Sequence, residues 1–397
     1  MKKYWKLLSI TIVIVLSIST FYIQKAIANE KTLQLELDTI SGDESEIEGV
    51  ALTGWYYGNF LHEGFAITGK KNIKYESDNS FVESLQGASN PKFDQLIEDH
   101  RSFMRGKYSD LSLFYEDEEL LAYVDVDSTW GRQSSYEDHS FKIDVLEKES
   151  DERITFEQKV PNHQDYHYMH VINVQVQGGQ LSVFTRNDVN YDGSADLRVY
   201  NFDIASEKLI NEKSIVLVDG RDESKWVDGY LVSAGEEIQQ TETLVYSKTE
   251  MQETQSQNGE YYTEETSREY IAYNLSTMKK NELSIPKEMW EGALTETAYD
   301  NIIYFLYQTE EGFTVKSYNI ENQQEGEFNV EMPGSEIGVE YTMQAKDDRL
   351  YFVKGGENLT IMVTDASTGD TLYHGKYINT ESGKENHEIS LGYLFIK

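Results

Sequence analysis

The sequence predicts an all-β protein, a β-propeller of six four-stranded blades with one short helix. Three observations carry that prediction. From Leu33 onward, β-branched and aromatic residues alternate with polar ones, the period of half-buried strands. Tyrosine is abundant at 28 residues and proline scarce at 4. A motif also recurs: "LRVYNF", "YIAYNL" and "VKSYNI" bring Tyr200–Asn201, Tyr273–Asn274 and Tyr318–Asn319 to one point of three units, and "FKIDVL" and "IMVTDA" are looser copies. Tyr273 and Tyr318 are 45 residues apart, and Tyr318 and Thr364 are 46 apart. That is the period of a blade of four antiparallel strands. A small sheet with two apolar faces cannot cover both alone; stacking face to face around a ring buries them. Seven blades is the alternative count. A large β-sandwich, or two smaller β domains, is the alternative architecture.

In chain order, the first element is a basic "MKKYWK", an apolar "LLSITIVIVLSISTFYI" and a small-x-small site at Ala26–Ala28. These are the three parts of a secretory signal peptide. The apolar run, Leu7–Ile23, is long for a signal and at the short limit for a membrane span. Residues 1–28 are therefore expected to be a cleaved signal or a retained anchor. Either places residues 29–397, read as one propeller domain, outside the cytoplasm as a secreted or cell-surface protein. There is no cysteine, which rules out a lipoprotein anchor, disulfides and thiolate metal sites. With a lysine-rich signal, this points to a Gram-positive exported protein.

The chain holds 35 basic and 70 acidic residues. Four lysines (Lys2, Lys3, Lys6, Lys25) lie in the signal, so the remainder carries 31 − 70, or −39. Such a charge repels nucleic acid, anionic lipid and wall phosphates, and attracts divalent cations.

Strands at Leu33–Ile40, Val50–Tyr57 and Gly64–Thr68 are expected to share a blade with the last strand, "EISLGYLFIK", which would close the ring and protect its edges. The helix is "NPKFDQLIEDHRSFMRG". Asn90 can cap it, Pro91 suits its first turn and Gly106 can end it, with Phe93, Leu96, Ile97, His100 and Phe103 on one face. Further blades are expected near 110–160, 165–219, 227–286, 290–333 and 338–379. The third of these is enlarged by "TLVYSKTEMQETQSQNGEYYTEETSREYIAYN". Asn258–Gly259 at its centre is a hairpin signal. Folding there sets Leu244 opposite Tyr273 and Tyr246 opposite Ile271. The outer part, polar on both faces, then projects as a ribbon: a tolerated insertion, or a docking arm with Tyr261 and Tyr262 near its tip.

"NDVNYDGSADLRVYNF" carries the best candidate chemistry. Asp188, Asn190, Asp192 and Asp196 follow D-x-N-x-D-G-x-x-D around Gly193. Calcium takes six to eight oxygens, and turn-forming acidic loops supply them at alternate positions. The expected ligands are the side chains of Asp188, Asn190, Asp192 and Asp196 and the backbone carbonyl of Ser194. Position twelve is Val199, where an EF-hand has glutamate, and no helix flanks the loop. The pattern runs into Leu197 and occurs once. Over that stretch it resembles the calcium hairpin of integrin-type (FG-GAP, or VCBS) propeller repeats. That resemblance implies a calcium-stabilised hairpin within a propeller blade.

Two weaker candidates remain. His163, His167 and His170 in "PNHQDYHYMHV" have zinc-like spacing on a helix, but a strand follows at once and would turn His167 and His170 opposite ways. Asp125 and Asp127 share a strand face near Trp130, a pairing that could serve glycoside hydrolysis. No nucleophile elbow, phosphate loop or zinc-protease motif occurs. By its overall pattern and Tyr-Asn repeat, the chain resembles uncharacterised signal-bearing propeller proteins of Gram-positive bacteria. The expected role is a monomeric, calcium-stabilised module that binds a protein or polymer at the cell envelope. A polysaccharide hydrolase and a membrane-tethered sensor are the alternatives.

Overall fold

The computed structural model describes residues 5–28, 35–57, 62–69, 72–75, 90–130, 136–189, 193–220, 224–232, 238, 241–256, 259, 261–310, 312–332, 340–356, 359–379 and 388–396. In chain order, the elements are α1 (Trp5–Ala28), β1 (Leu35–Gly42), β2 (Val50–Tyr57), β3 (His62–Thr68), β4 (Asn72–Tyr75), α2 (Pro91–Asp99) and α3 (Arg101–Met104). Next come β5 (Phe114–Glu116), β6 (Leu120–Trp130), β7 (Tyr136–Glu147), β8 (Glu152–Lys159), β9 (Tyr168–Gln177), β10 (Gln180–Asp188), β11 (Ala195–Asp203) and β12 (Lys208–Val218). Then follow β13 (Lys225–Leu231), β14 (Thr243–Gln255), β15 (Tyr261–Asn274), β16 (Lys279–Leu283), β17 (Thr295–Tyr299), β18 (Ile302–Gln308), β19 (Gly312–Asn319) and β20 (Glu325–Glu331). The last are β21 (Tyr341–Lys346), β22 (Arg349–Lys354), β23 (Leu359–Asp365), β24 (Thr371–Asn379) and β25 (Glu388–Ile396). The chain divides into two compact units.

The unit of Arg105–Thr309 and Phe313–Asn329 contains four sheets, β5–β8, β9–β12, β13–β16 and β17–β20, each a four-stranded meander in sequence order. Strand alternation explains how they stack. On the β13–β16 sheet, Leu244, Tyr246, Ile271 and Tyr273 point one way and pack with Phe184, Leu197 and Val199 of the preceding sheet. Val245 and Tyr270 point the other way and pack with Ile303 and Phe305 of the following one. On the β9–β12 sheet, Tyr200 and Phe202 meet Phe141 of β7 edge to face, at ring centroids of 4.8 and 5.5 Å. Each central sheet is thus apolar on both faces, and a side-chain period of two delivers alternate residues to successive neighbours.

The motif that repeats is a turn between third and fourth strands. Asp203 Oδ1 accepts from the Ser206 amide at 2.7 Å, Asn274 Oδ1 from Thr277 at 2.9 Å, Asn319 Oδ1 from Asn322 at 3.1 Å, and Asp365 Oδ1 from Thr368 at 2.9 Å. One residue later the chain turns left-handed, at Glu207, Met278, Gln323 and Gly369, with φ of 57°, 53°, 59° and 77°. The β7–β8 turn follows suit, with Ser150 Oγ donating to Glu147 Oε2 at 3.1 Å and Asp151 at φ 56°. This corrects the register of the repeat: Tyr273–Asn274 and Tyr318–Asn319 correspond to Phe202–Asp203, not to Tyr200–Asn201. Asn201 is fully buried and bonds Ser182 and Asn211, each at 2.7 Å.

The other unit comprises Met1–Met104, Glu310–Gly312 and Val330–Lys397. One sheet runs β25-β2-β3-β4 and the other, of five strands, β1-β24-β23-β22-β21. They share a core that includes Leu52, Phe65, Ile361, Tyr373 and Ile396. The second strand and the last do join, as Val50 pairs with Ile396 and Tyr56 with Ile389. The earliest strand differs from expectation: β1 adds to β24, pairing Leu37 with Tyr377, and forms no part of the β25 sheet. The fourth strand of that sheet is β4, paired with β3, which sequence reading missed.

The helix is interrupted. Asn90 Oδ1 caps α2 through the amides of Lys92 and Phe93 at 2.9 and 3.2 Å. At His100 (φ −130°) the helix breaks, and α3 resumes in a new phase that buries Phe103 and Met104 while Ile97 stays 37 % exposed. Gly106, at φ 79°, follows α3. α1 exposes Ile10, Ile12, Val13, Ile14 and Val15, spread around its circumference. It is 24 residues long, but its apolar run spans only Leu7–Ile23. Among the described residues, no helix is long and apolar enough to cross a membrane.

Candidate functional site

The acidic loop joins β10 to β11. Its base is closed by the Val189 amide bonded to the Ser194 carbonyl at 2.9 Å, and Gly193 takes φ 89°. Thus the Ser194 carbonyl, an expected cation ligand, accepts a backbone amide. Register decides the rest. Asp188 pairs with Ala195, and Asn187 pairs with Asp196, so the carboxylates of Asp188 and Asp196 leave opposite faces of the sheet. Asp188 accepts from Arg186 Nε at 3.2 Å. Asp196 is buried and held by Ser214 Oγ at 2.6 Å and Arg198 Nη1 at 3.4 Å. Tyr166 completes this cluster, its hydroxyl 2.7 Å from Arg198 Nη1. Asn190 and Asp192 lie outside the described residues. The five-oxygen cage drawn from spacing is therefore not what the described members form: Asp188 and Asp196 serve two separate arginines.

A signal for this was present in "RNDVNYDGSADLR". Arg186 stands two before Asp188 and Arg198 two after Asp196, and on strands that spacing places each arginine beside its acid. Asn187 and Tyr200 belong to the Asp196 face, where Asn187 Nδ2 donates to the Tyr200 hydroxyl at 3.1 Å.

The histidines do not converge. His163 opens a 3₁₀ turn and lies 3.5 Å from Asp138. The backbone amide of His167 bonds the Asp188 carbonyl at 2.9 Å. His170 is on β9 opposite Arg186, and burial holds its imidazole below the usual range. Among the described residues, no group of three or more histidine or acidic side chains is placed to hold a metal ion.

Asp125 and Asp127 do share a face of β6, opposite Lys142 and Ser140. Asp127 is tied to Lys142 at 2.7 Å. Burial pushes the Asp125 carboxyl upward, opposed by the Val126 amide that it accepts at 2.8 Å. The Trp130 side chain lies outside the described residues. Reading the sequence missed His139, fully buried between Ser128 Oγ at 2.8 Å and the Tyr166 carbonyl at 3.2 Å. Burial holds its pKa below the usual range. The carbonyl requires Nε2–H, so Nδ1 accepts the Ser128 hydroxyl.

The second candidate surface is the β14–β15 hairpin, 13 and 14 residues long. Leu244 pairs with Tyr273 and Tyr246 with Ile271, as the sequence predicts. Gly259 sits in the connection at φ 83°; Asn258 lies outside the described residues. β13 covers β14 from Tyr246 to Gln252, whereas β16 covers β15 only from Tyr270 to Asn274. Near the tip, Tyr261 is 68 % and Tyr262 49 % exposed.

No family model and no curated protein matches the chain. Among solved structures, an uncharacterized protein from Listeria monocytogenes is similar at 6 % identity and TM-score 0.36, over 67 % of this chain and 64 % of that one. Cobalt-substituted apocarotenoid oxygenase from Synechocystis is similar at 8 % identity and TM-score 0.42, over 91 % of this chain and 96 % of that one. Acylaminoacyl peptidase from Pyrococcus horikoshii gives 8 % identity and TM-score 0.29, over 71 % and 47 %. This chain spans about two thirds of the Listeria protein's length.

Proposed function

We propose that this protein is an exported β-propeller that acts as a binding module at the cell envelope. Three features support the architecture. The six sheets contain four-stranded meanders of similar length. Successive sheets within a unit bury opposite faces of the one between them. The strand β2 near the start pairs with the final strand β25, which is how a ring of blades is fastened. Export rests on the signal-like order of residues 1–28 and on the apolar residues that α1 leaves exposed.

The observation that carries the binding role is the β14–β15 hairpin, which runs on past the strand that should cover it and ends in two exposed tyrosines. Exposed aromatics on a structured arm are the usual anchors of protein contacts. Calcium, in this reading, is held by the limb of the loop from Asp188 through Asn190 to Asp192, and Asp196 braces the hairpin through Arg198. The test is co-sedimentation of the purified protein with envelope fragments of a Gram-positive cell. Retention in the pellet that competes with unlabelled protein is expected; recovery wholly in the supernatant overturns the binding role.

A further inference from the structure

We infer that the uncovered edge of β15, from Tyr261 to Glu269, receives an extended basic peptide as an added strand. The inference rests on the binding-module reading and names the partner's chemistry. β16 ends its pairing at Tyr270, so among the described residues Tyr261–Glu269 has β14 as its sole strand neighbour. In an antiparallel pair every second residue turns its N–H and C=O away from the partner. An open edge of this length is a template for another strand.

The edge is held rigid at its root. Arg268 grips Glu265 through two bonds of 2.7 Å and reaches Glu296 at 2.9 Å. Its guanidinium also lies 5.5 Å from the Trp290 ring. A preformed strand loses little freedom when it accepts a neighbour. The bulge at Glu250/Met251 divides the edge into a distal run ending at Glu265 and a proximal run ending at Glu269.

Charge selects the occupant. From Tyr261 to Glu269 the edge carries three glutamates (Glu264, Glu265, Glu269) and one basic residue, Arg268, which Glu265 and Glu296 already hold. Lys287 lies within electrostatic reach of Glu264 and Glu265, and Glu250, Glu253 and Glu260 add to the acidity of the ribbon. A second copy of this chain would set glutamate against glutamate, and like charges on facing strands destabilise the pair. A strand with lysine or arginine at alternate positions meets the opposite situation. Its basic residues face Glu264 and Glu269, both exposed and on one face of β15, while Tyr262, on that same face, offers its ring to its cations.

The test uses the full chain and a fluorescent decapeptide of alternating lysine and threonine. Two further probes are the glutamate–threonine decapeptide and a peptoid with the lysine peptide's side chains but no backbone N–H. The lysine peptide is expected to bind, the peptoid about tenfold more weakly and the glutamate peptide not at all. Glu264→Lys with Glu269→Lys should weaken the lysine peptide about tenfold or more. Glu321→Lys with Glu149→Lys, the same charge change in the β19–β20 and β7–β8 turns, should leave it within about twofold. Because the charge-reversed variant can misfold, Tyr262→Ala serves as a second test and should weaken binding about fivefold. Equal binding of peptoid and peptide, or no binding of the peptide by wild type, overturns the inference. So does a dimer in sedimentation velocity that Glu264→Lys abolishes, which would assign the edge to self-pairing. Envelope co-sedimentation separates the two readings: pelleting that survives charge reversal removes the edge and keeps the module, whereas peptide binding without pelleting does the reverse.

Discussion

At the scale of residues, the acidic hairpin owes its shape to two arginines. Removing Asp196 leaves Arg198 with Tyr166 at 2.7 Å and Glu212 at 3.9 Å in a largely buried cluster, so the cost is about 2–3 kcal/mol, below the roughly 3–5 kcal/mol of a buried charge left wholly unpaired. Asp196→Ala is therefore expected to lower the urea midpoint by that equivalent, with or without calcium. His139 gives a pH prediction. Burial depresses its folded pKa below 6.5, so the unfolded state takes up a proton that the folded state excludes. Its contribution to stability is complete above about pH 6.5 and is lost as pH falls through the folded value. Unfolding free energy measured from pH 7.5 to 5 should decline, and His139→Asn should flatten that decline.

At the scale of elements, two predictions concern turns. The side chain of Asn274 organises the β15–β16 turn through the Thr277 amide and hydroxyl, at 2.9 and 2.8 Å. Asn274→Ala should cost about 1 kcal/mol, whereas Glu207→Gly and Met278→Gly, at left-handed positions, should cost nothing or add up to about 1 kcal/mol. Thermal unfolding of the three variants decides it. For the β10–β11 loop, calcium is expected to raise the midpoint of wild type and of Asp196→Ala, and to leave Asp192→Ala unchanged. A rise that Asp192→Ala retains would remove calcium from this loop.

The elements also show what pattern reading can reach. The limits of five four-stranded units were legible from turn spacing, because the four strands of each are neighbours in sequence; β1, which joins the last of them, was not. The pairing of Leu244 with Tyr273 was legible because a local turn fixes hairpin register. The convergence of Asp188 and Asp196 was misjudged for a related reason. Loop spacing was read as though it continued through two strand ends, where alternate residues leave opposite faces. The register of the Tyr-Asn repeat slipped by two residues in one sheet. "VYNFD" offers both Asn201 and Asp203, and only the turn hydrogen bond tells them apart.

At the scale of the whole molecule, the ring proposed for residues 29–397 would be a compact object. For a compact fold of that length the radius of gyration is about 21 Å. Small-angle scattering of the protein lacking residues 1–28 should return that value; a radius half as large again would exclude a ring. Net charge acts at this scale too, since the −35 of the chain repels other polyanions and draws basic partners at a rate that salt suppresses.

By itself the sequence determined the all-β class, the four-strand period and the long hairpin, because each is set by residues close together along the chain. Tertiary structure alone decided that β1 joins β24, that α2 breaks at His100, that Ser214 and Tyr166 join the Asp196–Arg198 pair and that β15 keeps an open edge. Those outcomes depend on which distant backbone groups and side chains lie nearby, and alternation along one strand does not specify its neighbour.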